Sequence, residues 1–491
     1  KKFEATVRCC TQNGVRGGSA TVHFPIWHQE IEDILVLKNN KGTEDNRVRK
    51  LDYSIQISEL FYKRFINDED VSLFSPHDVD NLYDVYGSPE FDTLYEKYER
   101  NKKIPRKTIG AQKLFMELLK ERAETGRIYI MNIDHCNTHS SFKDKVYMSN
   151  LCQEITLPTK PVQHIDDPDG EIALCILSAI NLGMIKDKEE LEELCDLSVR
   201  ALDEIIDYQE YPVEAAKKST EARRSLGVGY IGLAHYLAKN KVKYNNQEAW
   251  QLVDEITEAF QYYLLKASNT LAQEKGKCDY FDRTKYADGI LPIDTYKKDV
   301  DNIVKRKLSY DWTNLRKTIK EFGLRHSTLS AQMPSESSSV VSNATNGIEP
   351  PRDYLSVKKS KKGTLKQIVP DYNRLKNFYT LLWDMPDNEG YINIVAIMQK
   401  YFDQAISGNW SYNPENYEGN EVPLSVMAKD LLTTYKLGWK TSYYQNTYDG
   451  KTDIDEPTHS VGWHDNVEEK KTRDEFKSDE DYEEYCEACA I

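Results

Sequence analysis

The sequence predicts an α/β fold, and three observations carry that prediction. Helical periodicity over Ala111 to Ala123, with Leu114, Phe115, Leu118 and Leu119 on one face, stops at Gly126. Arg127-Ile128-Tyr129-Ile130-Met131-Asn132 follows at once and reads as a buried strand, the helix–strand order of α/β proteins. Apolar residues at 39% and aromatics at 11% of 491 residues suffice for a sizeable core. This length allows roughly three domains, or one large barrel with an appendage.

Taken in order, Thr21-Val22-His23-Phe24 is a strand-like run after the glycines Gly14, Gly17 and Gly18, whose spacing matches no phosphate loop. Helical periodicity appears over Ile31–Leu37 and Ile57–Phe65. Asp68 to Tyr98 is acidic and aromatic, with turn signals at Ser75-Pro76 and Gly87-Ser88-Pro89. Asp134-His135-Cys136-Asn137-Thr138-His139 invites a metal reading, but the spacing fits no zinc pattern and a full ligand set is missing. An amphipathic helix is predicted over Asp187 to Tyr208. Gly227-Val228-Gly229-Tyr230-Ile231-Gly232 formally satisfies the dinucleotide fingerprint, which needs a buried strand before it. The charged run Lys217 to Arg224 cannot be that strand, so the glycines are expected to let a helix pack close to a neighbour. Ala259 to Glu274 and Leu424 to Leu437 are helical, and Trp439 to Tyr444 reads as a strand ending in Tyr443-Tyr444.

The net charge of −15 makes a general nucleic-acid-binding surface improbable. It is also uneven: Asp453 to Ile491 holds 14 acidic and 4 basic residues, so the rest of the chain carries about −5. After Gln445-Asn446 apolar periodicity is lost, and a flexible acidic tail is expected over 445–491, following a catalytic portion over 1–444. Nine cysteines are no disulfide scaffold and point to reduced thiols with specific jobs. With no membrane-length apolar stretch and no signal peptide, the expectation is a cytoplasmic protein without a membrane partner. The chain starts without methionine at Lys1-Lys2-Phe3 and reads as though it begins mid-domain.

The chemistry concentrates in Ser149-Asn150-Leu151-Cys152-Gln153-Glu154. If that stretch is extended, Asn150, Cys152 and Glu154 face one side, so a carboxamide, a thiol and a carboxylate converge. Such a set could hold a hydroxylated substrate, take a hydrogen from it and accept a proton. A second thiol, Cys175, follows the apolar run Ile172-Ala173-Leu174. Pro334-Ser335-Glu336-Ser337-Ser338 has the form of a helix start, which serves equally as a plain cap or as an anion cradle. Cys486 and Cys489, at the tip of the acidic tail, lack partners for a zinc site, and their surroundings do not lower thiol pKa values. Thiol–disulfide exchange is the remaining use for them.

Together these motifs, with Gly170 to Cys175, Asn343 to Pro351 and Tyr443-Tyr444, resemble the large catalytic subunit of class I ribonucleotide reductases. The resemblance spans essentially the whole chain and implies a ten-stranded α/β barrel, incomplete here, with a finger loop carrying the radical cysteine. It implies that Cys152 becomes the thiyl radical that abstracts the ribose 3′ hydrogen, that Glu154 is the general base and that Asn150 binds the sugar hydroxyls. Leu151 and Gln153 belong to the same substrate-binding loop. Cys175 is one of two reducing thiols, and Tyr443 and Tyr444 relay the radical from a small subunit. Pro334, Ser335, Glu336, Ser337 and Ser338 bind the substrate diphosphate. Cys486 and Cys489 re-reduce the active-site disulfide, and Asn13 to Ala20 couples effector to substrate choice. The chain itself needs no metal or other cofactor: a metal-containing small subunit supplies the radical, and thioredoxin or glutaredoxin the reductant.

The implied second redox thiol lies upstream of anything present, and Cys9 and Cys10 come too late to be it. The chain is therefore expected to be the C-terminal portion of the subunit, completed by an N-terminal part. An anaerobic glycyl-radical relative would end in a glycine motif, whereas this chain ends in two cysteines. A catalytically inactive interaction or regulatory protein derived from a reductase is the alternative from another class, and retention of every motif speaks against it.

Overall fold

The computed structural model describes residues 1–12, 16–360 and 363–450. The chain divides into two compact units, with Lys1–Ser19 in one and the described residues from Ala20 to Gly450 in the other. In the first, helix Lys2–Cys9 precedes the short antiparallel strands Thr11–Gln12 and Arg16–Gly17.

The larger unit holds a four-stranded sheet centred on Asp52–Ile57, whose six residues are all buried. Thr21–Pro25 and Ile128–Asn132 flank it in parallel, and Thr441–Ser442 adds antiparallel to Ile128–Asn132. Burial on both faces explains why Ile128–Asn132 is continuously apolar up to its end, as parallel strands tend to be. A second parallel pair, Leu177–Asn181 with Gly227–Ile231, continues through isolated parallel rungs from Val228 to Ser330 and from Gln332 to Ile406.

The ten-stranded ring is not traced among the described residues, where the largest sheet has four strands. Side chains interrupt the ladder. The Asp403 carboxylate takes the N–H groups of Leu329 and Ser330 at 2.9 and 2.8 Å, and Gln332 Oε1 takes that of Tyr230 at 3.1 Å. An N–H spent on a side chain cannot also bond a neighbouring strand.

The helices follow the sequence pattern closely. Ala111–Thr125 ends at Gly126, whose φ of +67° suits glycine, and a Cβ there would sit 2.8 Å from the Gln445 carbonyl oxygen. Lys188–Tyr208 starts where Asp187 accepts the Glu190 N–H at 2.8 Å. Gln247–Lys275 extends well beyond the expected Ala259–Glu274 and packs on Lys188–Tyr208 and on Glu389–Tyr401. Glu389–Tyr401 is buried all round after its first residue, the mark of a core helix. The acidic, aromatic stretch before residue 100 includes the helix Glu90–Arg100.

Gly227–Ile231 departs from expectation, being a buried strand and not a helix. A Cβ at Gly229 would lie 2.6 Å from the Ala331 carbonyl oxygen, so the close neighbour these glycines admit is an adjoining extended segment. Helix Glu214–Arg223 precedes it, where the dinucleotide fingerprint would need a strand. Near the end, Leu424–Lys436 is helical, but Trp439–Tyr444 shortens to Thr441–Ser442. Gln445–Thr447 then pairs in parallel with Trp410–Tyr412, three residues past the expected start of the tail. Residues 451–491, with Cys486 and Cys489, lie outside the described residues, as do 13–15 of the glycine-rich stretch.

Candidate active site

The cysteine stretch is a tight turn and not extended. The Gln153 N–H donates to the Asn150 carbonyl at 3.3 Å, and Gln153 adopts a left-handed φ of +71°. The alternation argument for convergence therefore fails, and the turn itself gathers the groups. Asn150 Oδ1 accepts the Ile155 N–H at 3.1 Å, and Ser149 Oγ donates to the Ile155 carbonyl at 2.7 Å, closing the loop's base. The Leu151 carbonyl accepts from Thr21 Oγ1 at 3.1 Å. Ser407 Oγ bonds both the Cys152 carbonyl and Glu154 Oε2, the latter at 3.1 Å.

Glu154 is 2% exposed, and burial pushes its carboxyl up to about 6 against hydrogen bonds from its own backbone N–H, Asn150 and Ser407. A carboxyl poised there suits general-base work near neutral pH. Cys175 is exposed as a residue, yet the atoms crowding its thiol push it up to about 12. The Glu154 charge adds to that shift and a hydrogen bond with Asn150 opposes it. Cys175 is thus a protonated thiol at ordinary pH, able to deliver hydrogen. The Asn150 carboxamide touches both Glu154 and Cys175, so three of the expected residues meet in one place.

The tyrosine pair meets the same place from the other side. Tyr443 OH lies 3.5 Å from Cys152 Sγ, and its ring stacks on Tyr444 with centroids 3.8 Å apart. Both rings touch Tyr129, at 4.9 and 5.8 Å. Burial holds the Tyr443 phenol well above its ordinary pKa, so it stays neutral. Arg122, fully buried, donates to the carbonyls of Tyr443 and Tyr444 at 2.7 and 3.1 Å. Arg127 donates to Tyr444 OH at 3.0 Å and covers its ring at 4.5 Å.

Pro334 to Ser338 opens the six-residue helix Glu336–Val341. Ser335 precedes it with a φ of +54°, and its buried hydroxyl has no hydrogen-bond partner among the described residues. The segment connects to the turn through Ser407, whose N–H donates to the Gln332 carbonyl at 2.9 Å, two residues before Pro334.

The histidines of 134–139 are committed to structural bonds: His135 Nδ1 to the Trp439 carbonyl at 2.9 Å, and His139 to Thr295 Oγ1 and the Gln399 carbonyl at 2.8 and 2.6 Å. Among the described residues no group of three or more His, Cys, Asp or Glu could hold a metal ion, and no helix is long and apolar enough to cross a membrane. Ser268, His326 and Asp203 form a triad-like chain, at 2.9 and 3.2 Å. All three are fully buried and Asp203 is held by Arg224 and Arg325, so the chain is part of the core.

Sequence reasoning missed Ser407, Arg122, Arg127, Tyr129 and His23. Arg122 carried a signal, since it lies three, four and seven residues after Leu119, Leu118 and Phe115 on the apolar face of its helix. Ser407 carried none, being a small residue in an irregular segment 253 residues from Glu154.

The family described as ribonucleotide reductase, barrel domain, matches residues 1–445. The ribonucleoside-diphosphate reductase subunit alpha of Haemophilus influenzae is 58% identical over 93% of this chain, and the ribonucleoside-diphosphate reductase 1 subunit alpha of Escherichia coli 55% identical over 92%. The subunit alpha of Enterobacteria phage T4 is 45% identical over 92%. The chain spans 61%, 60% and 60% of the length of these three relatives. A barrel-domain match over nearly the whole chain, meeting a cysteine turn, a buried carboxylate and a stacked tyrosine pair, makes this chain a member of the ribonucleotide reductase family.

Proposed function

We propose that this chain is the catalytic part of a ribonucleoside-diphosphate reductase, acting in the cytoplasm. It works with the remaining part of the large subunit, on the same or another polypeptide, and with a metal-containing, radical-generating small subunit. Residues 1–444 supply the barrel portion, with Cys152 at the tip of its finger loop, and 445–491 the redox tail. The observation that carries this reading is the contact of Tyr443 OH with Cys152 Sγ at 3.5 Å, backed by the Tyr444 ring.

In this reading a Tyr443 radical takes the hydrogen atom of the Cys152 thiol. The resulting thiyl takes the 3′ hydrogen of the ribose while Glu154 accepts the 3′-hydroxyl proton. Asn150 holds the sugar hydroxyls between Glu154 and Cys175, with Leu151 and Gln153 shaping the loop. The 2′-hydroxyl leaves as water, its proton and the reducing hydrogen coming from Cys175 and a partner thiol, which end as a disulfide. Cys152 then returns the 3′ hydrogen and Glu154 the 3′-hydroxyl proton, so one ribonucleotide and two thiols give one deoxyribonucleotide, water and a disulfide. Pro334 to Ser338 holds the diphosphate, for which the unpartnered Ser335 hydroxyl is suited. Cys486 and Cys489 exchange with the disulfide and are reduced by thioredoxin or glutaredoxin.

The deciding experiment is a ribonucleoside-diphosphate reduction assay of the assembled large subunit with its small subunit. Cys486→Ser with Cys489→Ser should block repeated turnover with thioredoxin but permit reduction with a small dithiol. Equal loss with both reductants would sink the shuttle role.

Glu154 gives a second test. As a base it must be ionised, so activity should rise with pH through about 6 and level off above. The same shift carries a stability cost. A carboxyl raised from 4.5 to about 6 favours the fold only when protonated, so the penalty grows between those pH values and is constant above. Glu154→Gln should therefore stabilise the fold by up to ~2 kcal/mol at pH 8, have little effect near pH 4, and abolish the acid limb of the rate profile. Thermal melts at the two pH values check the sign.

A further inference from the structure

The turn that carries Cys152 is held by a side-chain network centred on Gln153, whose partners His23 and Ser54 have no part in the reaction scheme. Gln153 is fully buried, with a left-handed backbone that disfavours an L side chain by about 1 kcal/mol or more. Its partners fix its orientation. Ser54 Oγ donates to Gln153 Oε1 at 2.8 Å, so the Gln153 amide NH2 points to the Asn150 carbonyl at 3.1 Å and to His23 Nε2 at 3.2 Å. The Ser149 backbone N–H also points at His23 Nε2, at 3.3 Å.

Both groups meeting Nε2 are donors, so Nε2 carries the lone pair and Nδ1 the proton. A neutral imidazole is what the surroundings favour, since burial lowers His23 to about 4. The network therefore spans both ends of the cysteine turn, Ser149 and Gln153, from one acceptor on the neighbouring strand Thr21–Pro25.

Gln153 also reaches the other reactant. Its carbonyl accepts from Thr441 Oγ1 at 2.8 Å, and Thr441 lies two residues before Tyr443. One residue thus ties the thiol-bearing turn to the strand that presents the phenol, while His23 and Ser54 tie it to the sheet.

We propose that His23 and Gln153 are positioning residues for hydrogen transfer between Tyr443 and Cys152: they lock the turn so that Sγ faces the phenol. This rests on the thiyl-radical reading above. Hydrogen transfer falls off steeply with donor–acceptor separation, and a misplacement on the order of 1 Å can cost a hundredfold. His23→Phe leaves two donors without their acceptor and frees the turn to relax from its positive φ.

The test uses the assembled large subunit with its small subunit and a ribonucleoside diphosphate. His23→Phe is expected to lower kcat roughly tenfold, with KM changed less than about twofold. The transferred hydrogen exchanges with solvent, so the D2O isotope effect on kcat should rise above the parent's, which a general loss of stability would not cause. His23→Gln keeps an oxygen acceptor and should recover kcat to within about threefold of the parent. Adding His23→Phe to Gln153→Leu should cost less than the two single losses combined, since both break the Gln153–His23 contact while Gln153→Leu leaves the Ser149 N–H on His23. Parent kcat in His23→Phe would overturn the proposal, as would equal losses in His23→Phe and His23→Gln with an unchanged isotope effect. Turnover by Cys152→Ser, measured alongside, would instead sink the radical reading, so the two failures are told apart.

Discussion

Cys152→Ser is expected to lower reduction of ribonucleoside diphosphates by about 10⁴-fold or more, while the protein should melt at nearly the parent temperature. The substitution exchanges one atom at the turn, whose geometry is set by Gln153, Asn150, Ser407 and Thr21 through bonds that spare the Cys152 side chain. The fold therefore has little reason to respond. The chemistry has every reason to: an alcohol O–H bond is much stronger than a thiol S–H bond, so a phenoxyl radical cannot take its hydrogen. Assay of radiolabelled substrate with enzyme in excess measures the residue. Single-turnover product from the serine variant would remove Cys152 from the radical step.

Tyr443→Phe has the second-largest expected effect, a loss of at least about 10³-fold in kcat. The ring remains, so its stacking on Tyr444 at 3.8 Å and its contact with Tyr129 persist. Only the hydroxyl disappears, and with it a long contact to sulfur at 3.5 Å, so stability should change by less than about 1 kcal/mol. Retention of a tenth of the parent kcat would show that the radical reaches Cys152 by another path. Arg122, which holds the backbone carbonyls of both tyrosines, is a poor probe of the same question. It is fully buried against Trp410, and removing it would leave several acceptors unpaired.

Periodicity found the long helices because each has a single wet face: Ala111–Thr125, Lys188–Tyr208 and Leu424–Lys436 lie close to where the pattern put them. It misread Gly227–Ile231 because burial on both faces erases the alternation that marks a strand. Asn150, Cys152, Glu154 and Cys175 were legible as a chemical set. Their arrangement was not, since a positive φ at a glutamine has no signature in the chain, and the bonds that stabilise it come from His23, Ser54 and Thr441, up to 288 residues away. Tyr443 and Tyr444 were legible only as a pair. Adjacent residues of an extended strand point to opposite sides, whereas these rings stack, because the backbone leaves strand geometry between Ser442 and Gln445.

That interruption has a consequence for how this segment can vary. Thr441–Ser442 is pinned antiparallel to Ile130 and Met131, and Gln445–Thr447 is pinned parallel to Trp410–Tyr412, with two residues between them. Strand registers shift only in whole residues, and a shift of one turns every side chain to the other face. The spacer is therefore quantised: two residues place both rings, and one or three place neither. Insertions and deletions, which surface loops absorb readily, are excluded from this gap even where the substituted residues would be chemically competent.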